Sequence, residues 1–300
     1  MSPVDDTALS LPFVRQHTLR DTQSDQAWCL AIAKTAAAEA RCGDATGAAH
    51  RLLLVLDGNL AVAPAALMQQ SLAERARGLA PRSTLVGVGY PGVALRHAQR
   101  RAQDFLPPWP AGLARPADAG DFAEGQADRF ARFLDAQLLP WLATHERTQF
   151  TEVGLFGHSF GGLFALHKLL HRPGPMQAFF AVSPSLWWAD GWLQRQPGGT
   201  AAQGAGRSLW LGIGSDERAL PGDDAARQAL HRRRDMQGRF AQLVAQLQHG
   251  PVALQAEVLA GEDHGSVLYP ALTRAVRWLM QPVPQPDARH SHPSHTATPP

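Results

Sequence analysis

Cysteine, net charge and long apolar runs are all scarce in this chain, and each scarcity excludes something. Only two cysteines, Cys29 and Cys42, occur in 300 residues, and a chain of that length can bury a sizeable core without cross-links. Cys29 lies in the apolar run WCLAIA, which predicts a buried thiol rather than half of a disulfide. The formal net charge is +2, too small to direct a protein onto nucleic acid or an anionic membrane. The densest basic run, HRRRD from His231 to Asp235, is expected as the solvated face of a helix. No uncharged apolar run reaches the roughly 18 residues that a membrane span needs. The start MSPVDDTALSLPF has no basic segment followed by an apolar one, so no signal peptide is expected. These features predict a reduced, soluble, cytoplasmic protein with neither nucleic acid nor membrane as partner. No internal repeat is present.

What the sequence does contain is an alternation of short apolar runs and helix-period segments. Strands are predicted at FVRQHTL (from Phe13), WCLAIA (Trp28), RLLLVLDG (Arg51), STLVGVGY (Ser83), EVGLFGH (Glu152), AFFAV (Ala178), SLWLGIG (Ser208) and VALQAEVL (Val252). The middle runs are almost wholly apolar, as parallel strands covered on both faces require. Helical spacing puts Phe130, Phe133, Leu134 and Leu138 on one face, and Phe240, Leu243, Val244 and Leu247 on another. Further helices are predicted over Ala63–Arg77, Phe160–His171 and Ser266–Met280. The fold class is therefore α/β: a mostly parallel eight-stranded sheet flanked by helices.

Three segments stand apart. Ala36 to His50 is rich in alanine and glycine and is expected to connect strands on the surface. Pro107 to Gly125 is long for a plain connection and is a candidate to shape a binding site. The segment from Gln281 has few large apolar residues, so a folded domain over residues 1–282 and a disordered tail over 283–300 are expected. The tail histidines His290, His292 and His295 are expected to be solvated, and no metal or other cofactor is implied.

The stretch LFGHSFGG, Leu155 to Gly162, contains G-x-S-x-G between a strand and a helix. In that context a sharp turn presents the serine oxygen above the sheet, so Ser159 is the expected nucleophile. A serine hydroxyl needs a base to take its proton. His264, in GEDHGSV between the last strand and the last helix, is placed for that role. His167 and His171 belong to the helix after the nucleophile and are worse placed. The acid that orients the base should follow SLWLGIG, where Asp216 and Glu217 are adjacent and only one can serve; Glu217 is preferred, with Asp216 next. The oxyanion hole is expected from the backbone N–H of Phe160 and of Asn59, with Gly58 as neighbour, in the turn LDGN.

VLDGN, VGVGYP, RAQDFLP (Arg101–Pro107), ADRFARFLDAQLLPWL, GHSFGGLFALHKLL, SPSLWW and GEDHGSV form an ordered series. From about Phe13 to about Met280, it resembles the putative-esterase branch of the α/β hydrolases. The likeness is greatest to bacterial ferri-siderophore esterases that open trilactones of the enterobactin and salmochelin type. The resemblance implies an α/β-hydrolase fold and a serine hydrolase with Ser159 as nucleophile and His264 as base. Two departures stand out. Leu106 occupies a position that is often threonine, and the acid region reads GSDE, which fits a glutamate acid only if the loop keeps its usual length. Some members of this branch work with a Ser–His pair.

Among possible substrate contacts, Arg101 (or Arg100) could meet an anion, or Arg101 could pair with Asp104 to fix its loop. Trp187 and Trp188 could stack on aromatic rings of a substrate or pack on the domain. Three functions follow: a siderophore-type esterase acting on a small-molecule ester, with iron arriving on the substrate; a broad carboxylesterase, thioesterase or acyltransferase; and a non-catalytic binding protein of the same fold. Intact Ser159, His264 and the DGN turn weigh against the third.

Overall fold

Among the described residues the eight predicted runs form eight strands in the computed structural model: β1 (Val14–Arg20), β2 (Ala27–Lys34), β3 (His50–Leu56), β4 (Arg82–Gly89), β5 (Glu152–His158), β6 (Ala178–Val182), β7 (Ser208–Gly214) and β8 (Ala253–Leu259). They make one sheet in the order β1-β2-β4-β3-β5-β6-β7-β8. Only β2 runs against the rest, antiparallel to both β1 and β4; every other pairing is parallel. The structure describes residues 11–39, 50–77, 79–92, 94, 95, 97–115, 124–196 and 205–281. Cys42, most of the segment before His50, residues 116–123 of the proline-rich loop and the tail from residue 282 lie outside them.

Successive side chains of a strand point to opposite faces, and β3 shows the consequence. Leu52, Leu54 and Leu56 join a core with Phe130, Phe133, Phe164 and Phe179. Leu53 and Val55 join a second core with Phe156, Phe180, Leu272 and Val276. The first face is covered by α3 (Ala98–Phe105), α4 (Ala127–Phe133), α5 (Leu139–His145), α6 (Phe160–His171) and α8 (Met236–Leu247), and the second by α2 (Gly58–Arg75) and α9 (Leu268–Leu279). The short α1 (Ala36–Glu39) precedes β3, and α7 (Ala225–Arg234) buries no residue. That agrees with a solvated face for the basic run. Among the described residues no helix is long and apolar enough to cross a membrane.

Four local expectations need correction. Helix α2 starts at Gly58, not Ala63. A Cβ on Gly58 would come within 2.6 Å of the Gly87 backbone, so only glycine lets this helix start so close to β4. The helical run after Ala127 is not uniform but passes through a π-helical turn, Leu134–Leu138. Pro140 follows at once and cannot donate to the helical ladder, which accounts for the widened register. Helix α3 was not anticipated from the sequence. Cys29 is half-buried rather than buried, and its thiol is free.

Candidate active site

All the expected reactive side chains lie beyond the C-terminal ends of strands, the edge at which open parallel sheets bind ligands. Ser159 follows β5 with φ 60° and ψ −117°, a strained conformation for a residue with a Cβ. Neighbouring glycines permit it: a Cβ on Gly157 would lie 2.1 Å from the Gly161 carbonyl oxygen, and one on Gly162 would lie 2.7 Å from that of Val182. The turn is held by Ser159 N–H donating to Val182 O at 2.9 Å and by Leu163 N–H donating to Ser159 O at 2.9 Å.

His264 comes from the loop after β8. Its Nε2 is 3.1 Å from Ser159 Oγ, and its Nδ1 is 2.7 Å from Glu217 Oε2. Glu217 is buried and its other oxygen accepts hydrogen bonds from Ser183 Oγ and from Gly214 N–H at 3.0 Å. Asp216 does not reach the imidazole. Its carboxylate accepts from Ser215 Oγ at 3.1 Å, and its N–H donates to Glu262 O at 3.0 Å. The loop around His264 is fixed by Asp263, whose Oδ1 accepts from Gly265 N–H at 2.7 Å and Ser266 N–H at 2.8 Å. These bonds hold the Asp263 carboxyl below its usual pKa.

Phe160 and Asn59 occupy the first turns of α6 and α2, whose backbone N–H groups point out of the helix end. Both helix starts therefore present partial positive charge. They lie side by side: a Cβ on Gly161 would sit 3.8 Å from Asp57 Oδ2. Asp57 has φ 54°. The Asn59 side chain accepts from Tyr90 N–H at 2.7 Å and donates to Tyr90 O at 2.9 Å, tying the start of α2 to the end of β4.

The arginines depart from expectation. Arg101 pairs with Asp57 and not with Asp104: Nε is 2.5 Å from Oδ1 and a terminal nitrogen is 2.9 Å from Oδ2. Burial pulls the Arg101 pKa down, but the Asp57 charge and its hydrogen bonds outweigh burial, and the net shift is upward. The guanidinium also lies 6.0 Å from the Phe160 ring centroid. Asp104 is buried and instead accepts from Trp28 Nε1 at 3.0 Å and Arg129 at 3.2 Å. Burial raises its pKa. Arg100 lies over the rings of Trp28 and Tyr90.

The tryptophan pair divides. Trp188 is buried, edge-on to Trp109 and Trp192. Trp187 is half-buried, with its centroid 6.1 Å from that of Phe160 and the Arg234 guanidinium 4.6 Å above it. Sequence reasoning placed His158, Asp57, Ser183 and Ser185 within blocks near the nucleophile but gave none of them a role of its own. The SPSLWW block was visible, but its serines carried no stated role.

A family model described as Putative esterase matches residues 51–261. A siderophore enterobactin esterase of Emericella nidulans is 30% identical over 261 residues, 79% of this chain and 84% of that protein. The ferri-bacillibactin esterase BesA of Bacillus subtilis is 28% identical over 223 residues, 70% of this chain and 73% of that protein. Among solved structures, the siderophore hydrolase EstA from Aspergillus nidulans superimposes with a TM-score of 0.76 at 23% identity, over 92% of this chain and 99% of that one. At that identity the superposition speaks for the fold alone. The chain belongs to the Putative esterase family, with the α/β-hydrolase fold, and is an esterase.

Proposed function

We propose that this esterase opens ester bonds of siderophores through an acyl-enzyme on Ser159. The observation that carries the reading is the unbroken line from Ser159 Oγ through the two ring nitrogens of His264 to Glu217, with links of 3.1 and 2.7 Å. His264 Nε2 takes the Ser159 proton as Oγ bonds to the carbonyl carbon, and the carbonyl electron pair moves onto oxygen. The N–H groups of Phe160 and Asn59 receive that charge. When the intermediate collapses, His264 returns the proton to the departing alcohol oxygen. Water then attacks the acyl-enzyme by the same route in reverse. Glu217 keeps Nδ1 protonated and steadies the imidazolium.

Arg101 serves this chemistry by supporting the Asp57-Gly58-Asn59 turn, since its guanidinium is engaged there. Trp187, beside Phe160 and under Arg234, supplies an apolar surface for the substrate. The siderophore assignment is supported by the names of the relatives matched over most of the chain, an enterobactin and a bacillibactin esterase.

The test is product formation, by mass-resolved chromatography, from a ferric trilactone siderophore with wild type and Ser159→Ala, with an aryl acetate alongside. Ring opening that vanishes in the variant is the expected result. Aryl acetate cleavage without trilactone opening would keep the serine mechanism and overturn the siderophore assignment in favour of a broader carboxylesterase.

A further inference from the structure

The loop after β6 carries Ser183-Pro184-Ser185, and its two hydroxyls meet opposite ends of the Ser159–His264–Glu217 line. Ser183 is fully buried and has φ 41°, a conformation that persists in a residue with a Cβ only where the surroundings impose it. Its N–H donates to Gly212 O at 2.7 Å, and its hydroxyl donates to Glu217 Oε1. Two residues on, Ser185 is also buried. Its Oγ lies 3.3 Å from Ser159 Oγ, and its N–H donates to Ser159 O at 3.2 Å. Pro184 between them has a ring-locked φ, which stiffens the span from one hydroxyl to the other.

We propose that Ser183 and Ser185 are positioning residues of the hydrolytic reaction, one acting on Glu217 and the other on Ser159. The proposal rests on the nucleophile assignment above. The Ser159 proton points to His264 Nε2, so the hydrogen between the two serine oxygens belongs to Ser185. That bond occupies one lone pair of Ser159 Oγ and leaves another for the carbonyl carbon. As the Oγ–C bond forms and the Ser159 proton passes to His264, Ser185 keeps its own proton. It orients the nucleophile without entering the proton balance.

At the other end, Ser183 and Gly214 both donate to Oε1, which leaves Oε2 for His264 Nδ1. Each donor also draws negative charge away from the face of the carboxylate that meets the imidazolium. Without the Ser183 hydroxyl the carboxylate binds the imidazolium formed during the reaction more strongly. The other titratable groups beside His264 are His158, with ring centroids 4.9 Å apart, and its chain neighbour Asp263. The Ser183 hydroxyl donates to Glu217, so removing it acts on the imidazole through the carboxylate.

The test compares the full-length wild type with Ser185→Ala, Ser185→Cys, Ser183→Ala, Ser183→Gly and Ser159→Ala. The measurements are kcat and KM for an aryl acetate across pH, the rate of fluorophosphonate labelling, and thermal melting. Ser185→Ala is expected to lower kcat and the labelling rate together by about 10- to 100-fold, with KM within about twofold. Ser185→Cys, a weaker donor of similar size, should fall between. Ser183→Ala and Ser183→Gly should both move the acidic limb of kcat/KM upward by roughly a few tenths of a pH unit. The glycine variant also relieves the positive φ, so an equal shift in both assigns the effect to the hydroxyl rather than to backbone strain. Wild-type kcat and labelling in Ser185→Ala, or a wild-type acidic limb in both Ser183 variants, would overturn the proposal. A Ser159→Ala protein that still labels would instead overturn the nucleophile assignment, and this proposal with it.

Discussion

His158 Nε2 donates a hydrogen bond to the main-chain carbonyl of His264 at 2.7 Å. The residue immediately before the nucleophile thus grips the backbone of the residue proposed to activate it, across 106 positions of sequence. A carbonyl oxygen only accepts, so His158 carries its proton on Nε2. Ser159 and His264 come from different loops, and this bond sets one loop against the other at the strand end.

His158→Gln should retain much of the activity, because a glutamine amide N–H can stand where Nε2 stands. His158→Met, of similar bulk and with no donor, should lower kcat by about 10-fold or more, since small misplacements of a catalytic pair are costly. Steady-state kinetics on an aryl acetate checks this. Equal activity in both variants would show that the bond does not position His264.

Glu217 and Asp216 are separated by geometry that their adjacency in sequence conceals. Glu217→Gln can present an amide N–H to His264 Nδ1 and favour the wrong tautomer. Loss of kcat by roughly 10³- to 10⁴-fold is expected, by analogy with other serine hydrolases. Asp216→Asn should stay within about twofold of wild type, as a half-buried substitution away from the imidazole. Parallel kinetics of the two variants decides which carboxylate orients His264.

The same contrast shows what the sequence makes legible. Parallel strands buried on both faces, such as β6 and β7, are written as nearly unbroken apolar runs, and all eight strands could be read with ends within a residue or two. Ser159 and His264 were legible because a strand–turn–helix motif and chain order point to them. Arg101 was not, because its partner Asp57 lies 44 positions away and no local pattern announces a long-range ion pair. Nor does periodicity reveal the start of α2, where the N-cap residue Asp57 makes no side-chain cap. Ser183 meets Glu217 only because β6 and β7 are neighbours in the sheet.

Breaking the Asp57–Arg101 pair should cost stability as well as activity. Both side chains are at least 87% buried, with 13% and 10% of their surface exposed. Arg101→Met therefore leaves a poorly solvated carboxylate beneath the first turn of α2. A loss of about 3 kcal/mol is expected, and for a domain of this size it lowers the melting temperature by roughly 6–12 °C. Asp57→Asn with Arg101→Met removes the uncompensated charge and should recover part of that loss. Calorimetry on the single and double variants measures the coupling.

Stability should also fall on mild acidification, and His50 supplies the reason. Burial lowers its pKa to about 4, and the positive charges of Arg82 and Lys34 push the same way. Its ring nitrogens lie 3.0 Å from Thr148 Oγ1 and 2.8 Å from Thr84 Oγ1, an environment satisfied by the neutral ring. In the unfolded chain the imidazole titrates near 6.5. Between about pH 6.5 and 4 the unfolded state therefore binds more protons, and stability drops as pH falls. Above that window the contribution is fully present. By pH 4 the loss approaches on the order of 3 kcal/mol. Asp128 follows lower down: a hydrogen bond from His167 holds its carboxyl at about 2, against the opposing effect of burial, so its stabilisation is lost below about pH 4. His50→Gln, which cannot titrate, should flatten the upper window and leave the lower one in place. Denaturant unfolding at half-unit steps from about pH 7.5 to about 2 makes the comparison, and parallel slopes in wild type and variant between pH 6.5 and 4 would remove His50 as the cause.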